Sequence, residues 1–584
     1  MFKVFKYLKP REWVQVLIVF FAAVTQVRLD LMIPGYMRRI TVLTQTPDVS
    51  TGEILSAGGF MLLCALGSLA CVVIISFFAS RTSAALSMRL RKMLFEKVNT
   101  FSMEEFTRFS TGSLIARSTN DITQVQQFTM SAMQMLLKVP ILAIGAIWGI
   151  SGRDMAWTTA ALIAFGFMLI VVFCAMIVVI PQFKKMQNLV DRLNLTLRES
   201  LVGRLVVRAY NAEDFHERKF ETANNGFTHA DQATNRAMAV MSPVMSLGIN
   251  GINLAVFVIG AFLINAAGQG EALARFSDMI VLSFYIGILF NAVKFITKVV
   301  PRMPRAAVAA GRVMDVLDTE PAVKDGARTD GAPGVAGEIT FKNVSFKYPG
   351  SAVNALEDIS FTAKQGQTVA LIGSTGSGKT TLVNLVMRFF DAQQGQILID
   401  GVDIKDYKLE SLYAKIGYVP QKSVLFSGTV SSNVAYGGEH VYSPGDIEKA
   451  VRIAQAQEFV AQLQEGLNAA VSQRGANFSG GQKQRLSIAR AVCRSPEILI
   501  FDDSFSALDY KTDREVRAAL KSETPGATRL IVAQRIGTIM DADKIIVLDG
   551  GKIAGIGTHR ELLESCRVYK EIALSQLSEE ELVS

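Results

Sequence analysis

The sequence predicts a helical membrane domain of six spans followed by an α/β domain. Three observations point there. Apolar residues crowd before residue 305, a polar Gly/Pro-rich stretch fills 319–336, and a strand, a glycine loop and a helix follow one another around residue 375.

Composition sets the frame. Hydrophobic residues make up 50% of the 584 and charged ones 19%, with a mean hydropathy of +0.30, which is apolar for a soluble protein of this size. The formal charge of +8 fits an anionic membrane surface rather than nucleic acid, because Lys and Arg gather at the ends of apolar runs and no aromatic-interleaved basic stripe occurs. Cys64, Cys71 and Cys174 lie in apolar runs, and Cys493 and Cys566 in the second half; their spacing implies neither a disulfide framework nor a metal site. With no short apolar leader or cleavage site at the start, the first apolar helix is expected to stay as an anchor.

Residues 1–12 alternate Phe2, Phe5 and Leu8 with Lys3, Lys6, Lys9 and Arg11, a basic amphipathic stretch suited to the headgroup layer. Apolar segments then run at 13–37, 58–80, 136–152, 156–180, 240–267 and 278–300, each near the length that crosses a hydrocarbon core of about 30 Å. The loops at 38–57, 152–155 and 268–277 are short and hold few cations, whereas 81–135 and 181–239 are long and basic. The positive-inside rule therefore places the long loops and both termini in the cytoplasm. Apolar residues at three- and four-residue spacing predict helix over 83–106 and 184–229, so the membrane helices should extend into the cytoplasm. Arg28 and Asp30 in the first span and Lys294 in the last are charges at membrane depth. Such groups usually face a cavity or a partner, and two residues apart Arg28 and Asp30 point to different faces.

In the second half, 339–346 alternates as a half-buried strand ending near Tyr348. The loop Gly373-Ser374-Thr375-Gly376-Ser377-Gly378-Lys379-Thr380 follows the apolar run 368–372 and precedes Thr381-Leu382-Val383. This is the phosphate-loop pattern in its proper setting, with glycines that let backbone N–H groups turn inward, Lys379 for the outer phosphates and Thr380 for Mg²⁺. A nucleoside triphosphate is the expected ligand. The apolar strand 498–501 ends in Asp502, placed as a Mg²⁺-directed carboxylate. Ser479-Gly480-Gly481-Gln482 opens a further helix, a second anion-receiving helix start that the chain's own phosphate loop does not need.

The order and spacing of Gly373–Thr380, Gln421, Ser479–Gln482, Asp502 and Ser506-Ala507-Leu508-Asp509 resemble the ATP-binding cassette family. Six preceding spans with two long cytoplasmic extensions resemble its exporter half-transporters. The resemblance covers essentially the whole chain and implies a transmembrane domain at 1–318, a linker at 319–336 and a nucleotide-binding domain at 337–584, the last with an antiparallel β subdomain and a helical subdomain. It further implies a dimer holding two ATP molecules with Mg²⁺, each between one chain's phosphate loop and the other's Ser479-type signature. Carried over by position, Tyr348 stacks on adenine, Gly373 to Thr381 hold the phosphates, and Thr380, Gln421 and Asp502 serve the Mg²⁺. Ser479, Gly480, Gly481 and Gln482 reach the partner's γ-phosphate, and the loops near 109–116 and 205–214 dock the membrane domain on the cassettes.

Two departures bear on mechanism. The family usually has Glu after the Mg²⁺ carboxylate, where this chain has Asp503, and a histidine where it has Gln534. Asp is one methylene shorter, and a glutamine carries neither proton nor positive charge. His216, His229, His440 and His559 all lie elsewhere, and Gln473 stands where exporters commonly have an acid. The expectation is a site that binds ATP and hydrolyses it slowly, resembling the degenerate-site subunit of heterodimeric multidrug-type exporters, with a second half-transporter supplying the working acid. Two alternatives stand beside it: a homodimeric lipid or peptide exporter using Asp503 as a slow base, and an ATP-binding gating or regulatory membrane protein. The expected location is the cell membrane, multi-pass, with membrane lipid as surroundings. The substrate is left open among small molecules, lipids and peptides.

Overall fold

A computed structural model describes residues 2–46, 49–136, 138–151, 155–299, 302–437 and 442–577. His440 and the loop residues 152–154 lie outside the described residues. The chain divides into two units, one of residues 1–99 and 111–319 and one of 100–110 and 320–584.

The first unit is all helix. Long helices span Pro10–Gln45, Thr51–Asn99, Met155–Val202, Glu213–Asn265 and Gln269–Val299, with shorter ones at Thr111–Ala116 and Lys138–Ser151. Among the described residues, five helical runs are long and apolar enough to cross a membrane. The remaining expected span, 156–180, lies on Met155–Val202, where several side chains fall outside the described residues. The helix expected over 184–229 is broken twice, at Gly203 and around Asn211, whose φ of 50° is left-handed; between the breaks sits the short helix Arg204–Ala209. Helix-period spacing cannot register such breaks, because apolar residues on both sides keep the same face.

Glu12 caps the first long helix by accepting from its own cap residue's N–H, Lys9, at 2.8 Å and takes the Arg89 guanidinium at 2.6 and 2.9 Å. Arg89's hydrogen bonds hold the Glu12 carboxyl below its usual range. The pair ties the start of the first long helix to the later turns of the second, Thr51–Asn99.

The second unit has two main sheets. Strands β1 (Ile339–Phe346), β2 (Leu356–Ala363), β4 (Gln394–Ile399) and β5 (Val402–Asp403) form an antiparallel sheet ordered β2-β1-β4-β5. Strands β3 (Thr368–Gly373), β6 (Ile416–Val419), β9 (Ile498–Asp502), β10 (Thr528–Val532), β11 (Lys544–Asp549) and β12 (Lys552–Gly557) form the other, ordered β12-β11-β3-β10-β9-β6. All its pairs are parallel except the edge pair β11–β12. Strands β7 (Gly428–Thr429) and β8 (Ala470–Val471) make a small ladder beside the helices.

Period-two alternation builds three layers from this. Val369, Leu371, Ile498, Ile500, Leu530 and Val532 pack with Phe341 and Phe361 of the antiparallel sheet. Their neighbours Ala370, Ile372, Leu499, Phe501 and Ile531 face the opposite layer, with Leu486 and Val516. Near-continuous apolar runs are what a parallel strand buried on both faces requires. Because β3 lies between β10 and β11, with β9 beyond β10, the carboxyl ends of β3, β9 and β10 open on one edge, where ligands of such sheets bind.

The stretch 319–336 contains no regular helix or strand, as its composition implies, yet its backbone from 326 on is paired. Gly326 N–H donates to Tyr407 O at 3.0 Å, Arg328 N–H to Asp406 O at 2.8 Å and Ala332 N–H to Asp400 O at 2.8 Å, while Lys408 N–H returns to Arg328 O at 2.7 Å. Arg388 donates to Lys324 O at 2.7 Å, and Ala322 N–H to Glu105 Oε1 at 2.9 Å. A Cβ on Gly326 would sit 2.3 Å from Asp406 O, a backbone atom with nowhere to go. Gly326→Ala will therefore lower stability by about 1–3 kcal/mol, read as a fall in the thermal midpoint of the purified chain.

Candidate functional site

The elements expected to carry chemistry in the second unit, apart from the Tyr348 and Ser479 segments, end on the open edge of the parallel sheet. Gly376 and Gly378 have φ of 85° and 101°, left-handed values that let the loop after β3 fold over its own backbone. At Gly378 a Cβ would meet Leu356 Cδ2 at 2.6 Å and Ala355 O at 2.9 Å, so a side chain is excluded there on two counts. The loop runs into the helix Lys379–Val386.

Lys379 is 9% exposed and curls back over the loop, donating to Gly373 O at 2.7 Å, Ser374 O at 2.8 Å and Ser377 Oγ at 3.3 Å. Burial pushes its ammonium down from the usual lysine range, against the opposing pull of Asp503 and Asp502. Thr380 Oγ1 donates to Asp502 Oδ1 at 3.1 Å. Burial pushes the Asp502 carboxyl up; the Thr380 bond opposes this and the Asp503 charge adds to it. Lys379, Thr380 and Asp502 therefore stand together as an ammonium, a hydroxyl and a costly buried carboxylate.

Asp503 is the centre of the arrangement. It has a left-handed φ of 49°, is 8% exposed, and its N–H donates to Val532 O at 3.0 Å. Its Oδ2 accepts from Gln534 Nε2 at 2.8 Å and from Gln421 Nε2 at 3.2 Å, so three sequence-expected residues meet at one oxygen. Behind them, Gln576 of the C-terminal helical segment donates to Gln534 O at 2.8 Å and accepts from Ile536 N–H at 2.8 Å. Ser506 Oγ donates to Asp503 O at 2.8 Å. Neither support was foreseen, and no local pattern around Gln576 could have revealed it.

Tyr348 donates or accepts at Thr381 Oγ1, 3.0 Å away, and meets Phe346 and Phe390 edge-on at 4.9 and 5.3 Å. These contacts fix the ring's plane while leaving it half-buried.

Ser479 caps the helix Gly480–Cys493 in a reciprocal box: its N–H donates to Gln482 Oε1 at 2.9 Å and its Oγ accepts from Gln482 N–H at 3.3 Å. Gly480 and Gly481 form the bare first turn. Among the hydrogen bonds of the described residues, none joins Ser479–Gln482 to Gly373–Thr381, Asp502 or Asp503. The glycine loop and the signature are thus separate half-sites.

Comparison with known proteins agrees with this geometry. Residues 16–293 match the model of the ABC transporter transmembrane region and residues 356–506 that of the ABC transporter domain. An "uncharacterized ABC transporter ATP-binding protein" of Mycobacterium bovis is 39% identical over 529 residues, covering 90% of this chain and 88% of the relative. An "ATP-dependent lipid A-core flippase" of Pseudomonas fluorescens is 34% identical over 509 residues, covering 85% and 81%. The solved structure of a bacterial Atm1-family ABC exporter with ATP bound superposes with a TM-score of 0.81 at 24% identity, covering 97% of this chain and 98% of that one, a likeness of fold. With one membrane region leading into one cassette, this chain belongs to the ABC transporter family as a half-transporter.

Proposed function

We propose that the chain is one subunit of an ATP-driven exporter, paired with a non-identical half-transporter, whose own nucleotide site binds ATP and hydrolyses it slowly. The observation that carries this reading is the double amide clamp on Asp503. A general base needs a free lone pair aimed at water. Here one carboxylate oxygen is taken by two amides, and the shorter side chain sets the other oxygen back, where about 1 Å of misplacement costs roughly a hundredfold.

The residues present fit Mg²⁺-ATP. Lys379 and the N-terminus of its helix would receive the outer phosphates, Tyr348 the purine face, and Thr380 with Asp502 and Gln421 the metal. When bound, Mg²⁺ neutralises charge on the phosphates. The metal's charge would also offset the cost of burying Asp502. Ser479, Gly480, Gly481 and Gln482 would close over the γ-phosphate held by the partner chain, completing a site in which that chain supplies the base.

Coupling to the membrane would run through exposed cytoplasmic tips. Leu205 is 85% and Tyr210 79% exposed on and just beyond the short helix Arg204–Ala209. The second unit carries an aromatic groove of about 320 Å³ lined by Phe389, Tyr413, Tyr418, Tyr436 and Arg490. We assign that groove to the equivalent tip of the partner chain. The basic long loops support a membrane embedding with the cassette and both termini in the cytoplasm.

The test is ATP hydrolysis by the purified chain alone and by the complex isolated from cells. The chain alone is expected to bind ATP and turn it over about a hundredfold more slowly than the complex. Equal rates would end the heterodimer reading. A second reading, a homodimeric lipid exporter with Asp503 as a slow base, is favoured by the flippase relatives; under it Asp503→Ala abolishes hydrolysis.

A further inference from the structure

The first span carries two charges near mid-membrane, and the structure sends them in opposite directions. Asp30 has a partner on each oxygen: Ser68 Oγ donates to its Oδ1 at 2.5 Å and Lys138 Nζ reaches its Oδ2 at 3.4 Å. The neighbours of Asp30 are held on either side of it. Leu29 lies where Gly67 leaves room, 2.9 Å from an added Cβ, and Leu31 where Gly145 does, at 2.3 Å. Small residues permit such close helix contact, and the Tyr285 hydroxyl adds a bond to Leu31 O at 3.2 Å. The rotation of the first helix is therefore fixed by the second, third and sixth spans.

Arg28 is left pointing the other way. It is exposed and has no hydrogen bond or ion pair among the described residues. By helical rise it lies about 14 Å from the outer end of the apolar run 13–37 and about 22 Å from its inner end, too deep for its side chain to reach either headgroup layer comfortably. An unpaired guanidinium at that depth costs several kcal/mol against lipid. Its stripe on the helix, Thr25, Met32, Gly35 and Arg39, is also exposed and poorer in large apolar residues than Val14, Leu17 and Phe21 below it. A lipid-facing stripe would show the reverse at mid-depth.

We propose that Arg28 lines the transport pathway and is a specificity-determining residue, reading the acidic headgroup, phosphate or carboxylate, of an amphiphilic substrate. This rests on the exporter reading. A guanidinium offers a planar fork of donors that matches both groups bidentately, and Asp30, Ser68 and Lys138 hold the helix so that the fork stays presented.

The experiment measures equilibrium binding of radiolabelled oleoyl lysophosphatidic acid and of oleate to the complex in nanodiscs of neutral lipid, without nucleotide, with monoolein as the uncharged control. Both acids are expected to bind more tightly than monoolein. Arg28→Gln should weaken the acids about ten- to hundredfold, the worth of a charge-assisted hydrogen bond, and leave monoolein unchanged; Arg28→Lys should recover part of the loss. If only the phosphate responds, the class narrows to phosphate monoesters; if both respond, it is acidic amphiphiles. Unchanged binding in Arg28→Gln, or no preference of the native complex for the acids, overturns the proposal. So does loss of the partner chain from Arg28→Gln with normal acid binding by what remains assembled, which would assign Arg28 to a carboxylate across the dimer. ATP hydrolysis measured on the same samples tests the exporter reading separately, since the binding result does not depend on it.

Discussion

Gln482→Ala in this chain will cut ATP hydrolysis by the assembled transporter about a hundredfold, while Asp503→Ala will change it less than about threefold. The asymmetry follows from which site each residue serves. In the proposed pairing Gln482 would close on the partner's nucleotide, and loss of one preorganised polar contact to a transferring phosphoryl group costs about 10²–10³ in rate. Its side chain also accepts the Ser479 N–H at 2.9 Å, so Ala removes that half of the box, worth about 1 kcal/mol, while the Ser479 hydroxyl keeps its bond to the backbone N–H of residue 482. Gln482→Glu separates the two effects: Glu preserves the box and the fold, yet brings negative charge toward the phosphate, so hydrolysis should fall just as far. Asp503, under the same proposal, stands in the slow site and would carry little of the total flux. Steady-state phosphate release from the purified complex checks all three variants, and equal losses for Gln482→Ala and Asp503→Ala would contradict the division of labour.

The double variant Asp503→Glu with Gln534→His will raise hydrolysis by the chain's own site by about two orders of magnitude. The added methylene advances the carboxylate toward the attacking water, which addresses a misplacement on the order of 1 Å. Replacing Gln534 also takes away the amide that in the native chain bonds Asp503 Oδ2 at 2.8 Å. The gain has a structural limit. Asp503 has φ 49°, and Asp tolerates the left-handed region better than a longer side chain does, so Glu brings strain of up to about 1–2 kcal/mol. Single-turnover hydrolysis should therefore rise more in the double variant than in Asp503→Glu alone, whose thermal midpoint should fall. An unchanged single-turnover rate in the double variant would mean that the clamp is not what slows this site.

Much of this was legible in the chain. The apolar runs announce the spans because a hydrocarbon core admits only helices of sufficient length, and the glycine loop announces its turn because Gly376 and Gly378 need left-handed backbone. Asp502 at the end of β9 was readable because a strand buried on both faces has no other use for a carboxylate. The meeting of Gln421 and Gln534 on one oxygen of Asp503 was not readable: Gln421 lies far from the other two in sequence, and only the parallel order β10-β9-β6 with its flanking loops brings the three together. The breaks at Gly203 and Asn211 escaped for a different reason, since one or two residues of altered φ/ψ leave helical periodicity almost untouched. In the first span the pattern showed that Arg28 and Asp30 diverge, but which of the two would find partners depended on Ser68 and Lys138 from other helices.

The paired backbone of 326–332 decides where the cassette can be cut free. A fragment beginning at Gly337 would strand the carbonyls of Tyr407, Asp406 and Asp400 and the N–H of Lys408, all of which pair with this segment in the intact chain. Asp406 and Lys408 are exposed and water replaces the lost partner there, and Tyr407 O keeps the Arg388 guanidinium at 3.3 Å, so each lost pair costs about 0.5–1.5 kcal/mol. A fragment started at Glu320 should therefore be more stable than one started at Gly337, and a protease acting on the folded protein should spare these residues although their composition marks them as the natural place to cleave.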